Sequence, residues 1–337
     1  MKLITNHATI KNRGRTMIFD MFVKNKELIL IGSSPTPSIS KDNVSVSIND
    51  NELTLNQVIF NDNFQESYRI FFFNCNYTDS DIQVTVNYND VCETIVLNNI
   101  NNEIQNEYKL TITTCFKGDY TLFPMWYDYY TKQGVEHFYM YYNGILTDAI
   151  KDILNKPNVT LIEWPFEYLS KYHNRLHCAQ LGQIHHALYK YGKNSSEYMI
   201  FCDLDEYLYL HNKTILDKIN SDDKFDEIRF RNCWCKRMDK KIPECFPTKF
   251  YIENKAELIG YKDKRLANNR TKGLYNISKT NRLHIHHASP LSNNLKVRHY
   301  GIMFHFKAKN LPKDVKFGSI IFPDNIPWDM TDRQIVT

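Results

Sequence analysis

The sequence has no apolar run approaching the roughly 20 residues that a membrane-spanning helix needs. Its start, MKLITNHATIKNRGR, lacks the apolar middle of a secretory signal. Such a chain is expected in the cytoplasm, and in the host cytoplasm if the protein is viral. An excess of one charge is also lacking. The 42 Lys and Arg are nearly matched by 38 Asp and Glu, giving +4 over 337 residues, and they are spread along the chain. The dense basic stripe of a nucleic-acid binder is therefore missing, and that class is excluded. Cysteine is sparse, with eight in the whole chain, too few for a disulfide scaffold. Cys233, Cys235 and Cys245 cluster, but no second close pair completes a four-ligand zinc site, so reduced structural thiols are expected.

Aromatic residues are abundant, with 22 Tyr and 20 Phe. They suit cores and sugar-stacking sites alike and decide neither. The length allows two domains. SISKDNVSVSIND alternates at Val44, Val46 and Ile48, and DIQVTVNYND at Ile82, Val84 and Val86, the period of half-buried strands. Residues 1–106 are expected to form a β-rich, sandwich-like domain, and the polar stretch LNNINNEIQNE marks its end. Residues 107–337 then form the second domain.

Beyond the boundary, strands and helices alternate. YKLTITTCF reads as a strand, and TLFPMWYDYYTKQG as a helix opened by Thr121, with Pro124 in its first turn and Gly134 as its stop. VEHFYMYYN and VTLIEWPF are strands flanking TDAIKDILNK, a helix capped by Thr147. This order predicts a parallel sheet with helices packed across it. HNRLHCAQLGQIHHALYKYG gives a long helix whose apolar face carries Leu176, Gln180, Ile184, Ala187 and Tyr191. A polar amide at Gln180 on that face calls for a specific partner.

The next stretch, YMIFCDLDEYLYL, is a fourth buried strand ending in acid. Ligands of open parallel sheets sit beyond the carboxyl ends of the strands. In an extended segment Asp203 and Asp205 would point the same way while Leu204 turns inward. Two close carboxylates favour a cation between them, and hard oxygen ligands suit Mg²⁺ or Mn²⁺ held jointly with substrate phosphates. A strand ending in a solvated acidic turn is the plainer alternative, and the position after a fourth parallel strand weighs against it.

Several stretches in order resemble glycosyltransferase family 92 and its bacterial and viral relatives, over roughly Tyr108 to Lys309. LTITTCFKGDYTLFPMWYDYYTKQGVEHFYMYYNG matches at Lys117, Asp119, Trp126, Gly134 and Asn143, with Asp119 in place of the more usual Glu. QLGQIHHALYKYGKNSSEYMIFCDLDEYLYL matches at Gln180, Lys190, Asp203, Asp205, Glu206 and Tyr207, while His186 and Ala187 replace the Asp-Cys often found there. TKGLYNISKTNRLHIHHASP supplies Lys272 and a strand ending in His, and VRHYGIMFHF a His-Tyr pair at His299.

The resemblance implies a GT-A nucleotide-sugar fold, with a mostly parallel sheet flanked by helices. It implies transfer of a hexose, galactose favoured, from a UDP-sugar to a glycan or protein-linked acceptor hydroxyl, with inversion. By resemblance, Thr114, Cys115, Lys117, Asn143, Gln180, Asp203, Lys272 and His299 bind the nucleotide sugar. Asp203, Asp205 and His286, or His287 one step away, hold Mn²⁺ (or Mg²⁺). Candidate bases are Asp239, Glu244 and Asp263, and no spacing rule selects among them. A lectin-like binding protein and a metal-dependent phosphohydrolase are the competing classes.

Overall fold

Period-two patterning in the first hundred residues becomes two antiparallel sheets. The computed structural model describes residues 1–33, 44–63, 66–77, 81–98, 107–169, 178–210, 213–221, 224–237, 250–253, 267–286, 288–290, 296–306 and 317–321. A short strand, β1 (Lys2–Ile4), comes first, and its partner lies far along the chain. It is followed by β2 (Ile10–Asn12), β3 (Arg15–Lys24), β4 (Glu27–Ser33), β5 (Val44–Ile48), β6 (Asn51–Glu52) and β7 (Leu55–Asn63). Then come β8 (Glu66–Asn74), β9 (Asp81–Tyr88) and β10 (Val91–Asn98). One sheet has the order β2-β3-β4-β8-β7 and the other β10-β9-β5-β6. Met21, Leu28, Leu30, Phe71 and Phe73 of the first meet Val46, Ile48, Val84, Val86 and Tyr88 of the second in one core. The turn pairs Asn25-Lys26 and Asn49-Asp50 take positive φ, as tight hairpins require.

Along β9 every second residue is buried. Six successive residues of β3 and six of β4 are buried, because the outer face of their sheet is covered as well.

The second region begins with β11 (Tyr108–Phe116), α1 (Phe123–Lys132), β12 (His137–Tyr142), α2 (Asp148–Ile153) and β13 (Val159–Glu163). α3 (Cys178–His186) and β14 (Ser196–Phe201) follow. The strands β13-β12-β11-β14 pair in parallel, and β1 adds in parallel to the edge of β13. Residues 2–4 thus belong to this sheet, although the rest of the described N-terminal strands build the sandwich. Thr121 falls in a 3₁₀ turn, Tyr120–Leu122, just before α1, and Pro124 lies in the first turn of the helix itself. Gly134 ends α1 at φ +92°, where a Cβ would also meet Leu216 at 2.4 Å. Thr147 stands at the N-cap of α2 in extended conformation, but its hydroxyl makes no capping bond.

One face of the sheet packs Ile112, Phe116, Phe138, Met140, Leu161 and Ile200 against α1. The other packs Tyr139, Tyr141, Ile162, Met199 and Phe201 against α3. The sequence predicts a single apolar face for this helix, but all nine residues of α3 are buried. Phe19, Phe22, Ile31, Ile70 and Phe72 of the sandwich belong to the same core and cover its other side. Contact is close enough that a Cβ on Gly182 would lie 2.6 Å from the Phe19 ring. Leu176 lies outside the described residues, and Ala187–Gly192 continues α3 as a π-helical turn.

Past β14 the chain adds β15 (Glu206–Tyr209), β16 (Glu227–Arg237), β17 (Phe250–Glu253) and β18 (Ala267–Asn276). A hairpin, β19 (Thr280–Leu283) and β20 (Ala288–Pro290), precedes β21 (Val297–Phe306) and β22 (Phe317–Ile321). β18 runs antiparallel to β14 and to β16, while β21 is parallel to β16 and antiparallel to β15. The large sheet is parallel from β13 to β14 and mixed beyond, which leaves the end of β14 in mid-sheet. Among the described residues no helix is long and apolar enough to cross a membrane.

Candidate functional site

The acid-rich stretch after β14 is a turn. Extended alternation is what the sequence predicts for Asp203 and Asp205, but the Asp203 carbonyl accepts the Glu206 N–H at 3.1 Å. The Glu206 Oε2 in return accepts the Asp203 N–H at 2.8 Å. Reciprocal bonds of this kind let a short loop satisfy its own backbone. Leu204 is fully buried beneath it.

Aromatic side chains of α1 hold the turn from one side. Trp126 Nε1 donates to the Asp203 carbonyl at 3.1 Å, Tyr130 Oη to the Glu206 carbonyl at 3.0 Å, and Tyr129 Oη to Leu208 at 2.7 Å. β21 closes the other side. The Phe306 N–H donates to the Asp205 carbonyl at 2.8 Å, and Glu206 stands opposite His305 in the β15–β21 ladder.

Two cationic groups meet these carboxylates. Lys272 of β18 is buried, with Nζ 3.0 Å from Asp203 Oδ2 and 3.3 Å from Glu206 Oε2. His305 Nε2 lies 3.2 Å from Asp205 Oδ2, and its Nδ1 3.7 Å from Glu206 Oε1. Burial alone would raise the Asp203 carboxyl, but Lys272, followed by His305 and His286, holds it below the usual range. Burial pushes Glu206 up to about 7 against the pull of Lys272, and Asp203 and Asp205 add to the rise. Burial disfavours the charged forms of Lys272 and His305, yet neighbouring carboxylates raise both. The turn therefore presents an ionised Asp203 beside a carboxyl that gives up its proton reluctantly.

Gln180 has the partner its position calls for. Its Nε2 donates to Asp203 Oδ1 at 3.3 Å, and its Oε1 accepts from Tyr168 Oη at 3.1 Å. Tyr168 keeps 41% of its surface exposed, and Asp203, Cys115 and Asp119 all act on its hydroxyl electrostatically. Cys115 and the loop after β11 thus border the same place. Lys117 is exposed, and its N–H donates to Asp119 Oδ1 at 3.1 Å. Burial raises the Asp119 carboxyl, and Asp205 and Asp203 push the same way against that bond.

Thr114 and Asn143 are both buried. Thr114 alternates with Cys115 and shares the buried α1-side face of β11 with Ile112 and Phe116. Asn143 is buried, its Nδ2 donating to the carbonyls of Trp164 at 3.0 Å and Phe166 at 2.8 Å. It ties the ends of β12 and β13 together. His286 is half-buried, its carbonyl accepting from Thr271 Oγ1, and its imidazole acts on Asp203. His299 lies on β21, with its side chain outside the described residues, as are His287, Asp239, Glu244 and Asp263 altogether.

His305 and Tyr168 are the residues that sequence reasoning missed. His305 sits in the quoted VRHYGIMFHF, but only the register of β21 against β15 brings it to Glu206 and Asp205. Tyr168 has no local signal. By type, the Asp203 and Asp205 carboxylates and a deprotonated His305 imidazole are donors that suit Mn²⁺ or Mg²⁺, while in this arrangement Lys272 and His305 meet those carboxylates as cations.

A family model described as glycosyltransferase family 92 matches residues 111–331, well over half of the chain. No curated protein matches it.

Proposed function

The chain belongs to glycosyltransferase family 92, and from that premise we propose that it transfers a hexose, galactose in the first instance, from a UDP-sugar to a glycan or protein-linked hydroxyl. Inversion at the anomeric carbon and a GT-A type nucleotide site are part of the same proposal. Membership makes the chain a glycosyltransferase, with a sugar donor and a glycan acceptor, and sets aside the lectin-like and phosphohydrolase readings. The observation that supports the finer reading is the acidic turn at the carboxyl end of a mid-sheet parallel strand, gripped by Lys272 and His305.

In this reading Asp203, Asp205 and His305 hold Mn²⁺ or Mg²⁺, which when bound supplies Lewis-acid charge to the leaving diphosphate. Lys272 keeps Asp203 ionised, and Gln180 fixes the direction of its carboxylate. The end of β11 at Cys115 and the loop on to Asp119 back the uracil and ribose, and Tyr168 offers an exposed ring and a hydroxyl beside them. The acceptor proton must leave toward a carboxylate facing the anomeric carbon from the side opposite the diphosphate. Asp239 and Glu244, in the segment joining β16 to β17, are the candidates for that base.

UDP binding by calorimetry, with Mn²⁺ and with chelator, tests the reading. Metal-dependent binding that weakens by roughly tenfold or more in Asp205→Asn and in His305→Ala is expected, on the scale of lost metal-site interactions. Absence of UDP binding with any divalent ion would overturn it.

A further inference from the structure

A second cluster of chemistry-bearing side chains is buried where the sandwich meets the large sheet. Asp20 of β3 is 1% exposed and His186 of α3 is 0% exposed. Asp20 Oδ2 faces three nitrogens, with His186 Nε2 at 2.8 Å, Lys190 Nζ at 2.6 Å and His7 Nδ1 at 3.6 Å. Its Oδ1 accepts the Ala8 N–H at 2.8 Å.

Both imidazoles are oriented by their other nitrogen. His7 Nε2 lies 2.7 Å from the Glu163 carbonyl oxygen, and a carbonyl only accepts, so that nitrogen carries the proton. His7 Nδ1 is buried and faces Asp20 Oδ2 at 3.6 Å, beyond ordinary hydrogen-bond length. His186 Nδ1 lies 2.7 Å from Tyr141 Oη, which can donate to it or accept from it. His186 is wholly buried, and burial pushes its imidazole down to about 3. Two imidazole nitrogens and a carboxylate oxygen that converge in a buried gap can hold a cation, and the Lys190 ammonium already meets the carboxylate there.

We propose that His7 Nδ1, His186 Nε2 and Asp20 Oδ2 form a second cation site, for zinc or a neighbouring late first-row divalent ion, at which the Lys190 ammonium is the competing cation. The three ligand atoms lie within 4.8 Å of one another. Ligands about 2.0–2.2 Å from zinc require only a modest contraction from that arrangement. Two imidazoles and a carboxylate are a donor set of these ions. The backbone carbonyl behind His7 and the hydroxyl behind His186 are the outer partners that orient metal-bound histidines.

The exchange is balanced. The single proton of His186 moves from Nε2 to Nδ1, where the Tyr141 oxygen accepts it, and Lys190 withdraws as an ammonium. Any proton held on His7 Nδ1 leaves to solvent as the ion enters, and no electron is transferred. A cavity of about 510 Å³ lined by His7, Asp20 and Lys190 gives an entry route, and the Lys190 side chain, 27% exposed, has room to leave. The ligands come from the link after β1, from β3 and from α3, so a bound ion would fasten the sandwich to the sheet.

Co²⁺ titration followed by visible absorption, with Zn²⁺ competition, tests the site in the Asp205→Asn variant, where the acidic turn is disabled. One saturating equivalent displaced by Zn²⁺ is expected, weakened roughly tenfold or more by His7→Ala and tightened several-fold by Lys190→Met. A titration that does not saturate even with Lys190→Met, or that His7→Ala leaves unchanged, overturns the proposal. Anomalous scattering at the zinc edge from crystals of the unsubstituted chain avoids any folding defect of the variants. A peak between His7 and His186 supports the site, and peaks only elsewhere sink it.

Discussion

Lys272 reaches both Asp203 and Glu206 from a buried position. Replacing it with Met leaves two carboxylates facing each other without their cation. Loss of one partner of a fully buried pair costs about 3–5 kcal/mol, but Asp203 retains 36% side-chain exposure. We therefore expect Lys272→Met to cost about 2–3 kcal/mol in urea unfolding, with part of the loss recovered by adding Glu206→Gln. A change below about 0.5 kcal/mol, the scale of an ordinary surface substitution, would mean that the carboxylates are effectively solvated. At this scale the sequence was partly legible. Asp203 and Asp205 stand out because a buried strand ending in acid is unusual, and Gln180 because an amide on an apolar face needs a partner. His305 does not stand out, since one histidine in a strand looks like any other until cross-strand register is known. The extended geometry expected of the acid pair also gave way, because Glu206 supplies a reciprocal bond that no spacing rule anticipates.

Elements were easier to read than their surroundings. Alternation in β5 and β9 and the strand–helix order from β11 to β13 reflect local periodicity, which a sequence displays directly. α3 was legible as a helix but not as one enclosed on all sides, because the cover comes from strands over a hundred residues earlier. Gly182 lies at that contact, and a methyl there would overlap the Phe19 ring. Gly182→Ala is expected to cost about 1–3 kcal/mol by overpacking. Adding Phe19→Leu should restore part of it, as measured by thermal unfolding of the single and double variants. A neutral Gly182→Ala would show that sandwich and helix can separate slightly without loss.

At the scale of the whole molecule, the sandwich and the large sheet share a core. Phe19, Phe22, Ile31, Ile70 and Phe72 pack in one cluster with Trp164, Tyr139, Tyr141, Ile184 and Leu188. A chain reduced to residues 107–337 would expose that cluster and lose the β1 edge, so it is expected to aggregate or to bind apolar dyes. A soluble, cooperatively unfolding fragment would refute this. The composition break near residue 107 is real in the sequence, yet a break in rhythm reports where one pattern stops and says nothing about how much surface the two parts share. The register of β21 also has a consequence for the order of synthesis. The acidic turn leaves the ribosome about a hundred residues before His305 and Phe306, the groups that clasp it. β1 must likewise wait for β13. The sheet that carries the acidic turn therefore gains its β1 edge and its β21 clasp only after intervening strands are made, and a nascent chain stopped before β21 carries the full acidic motif without the strand that gives it shape.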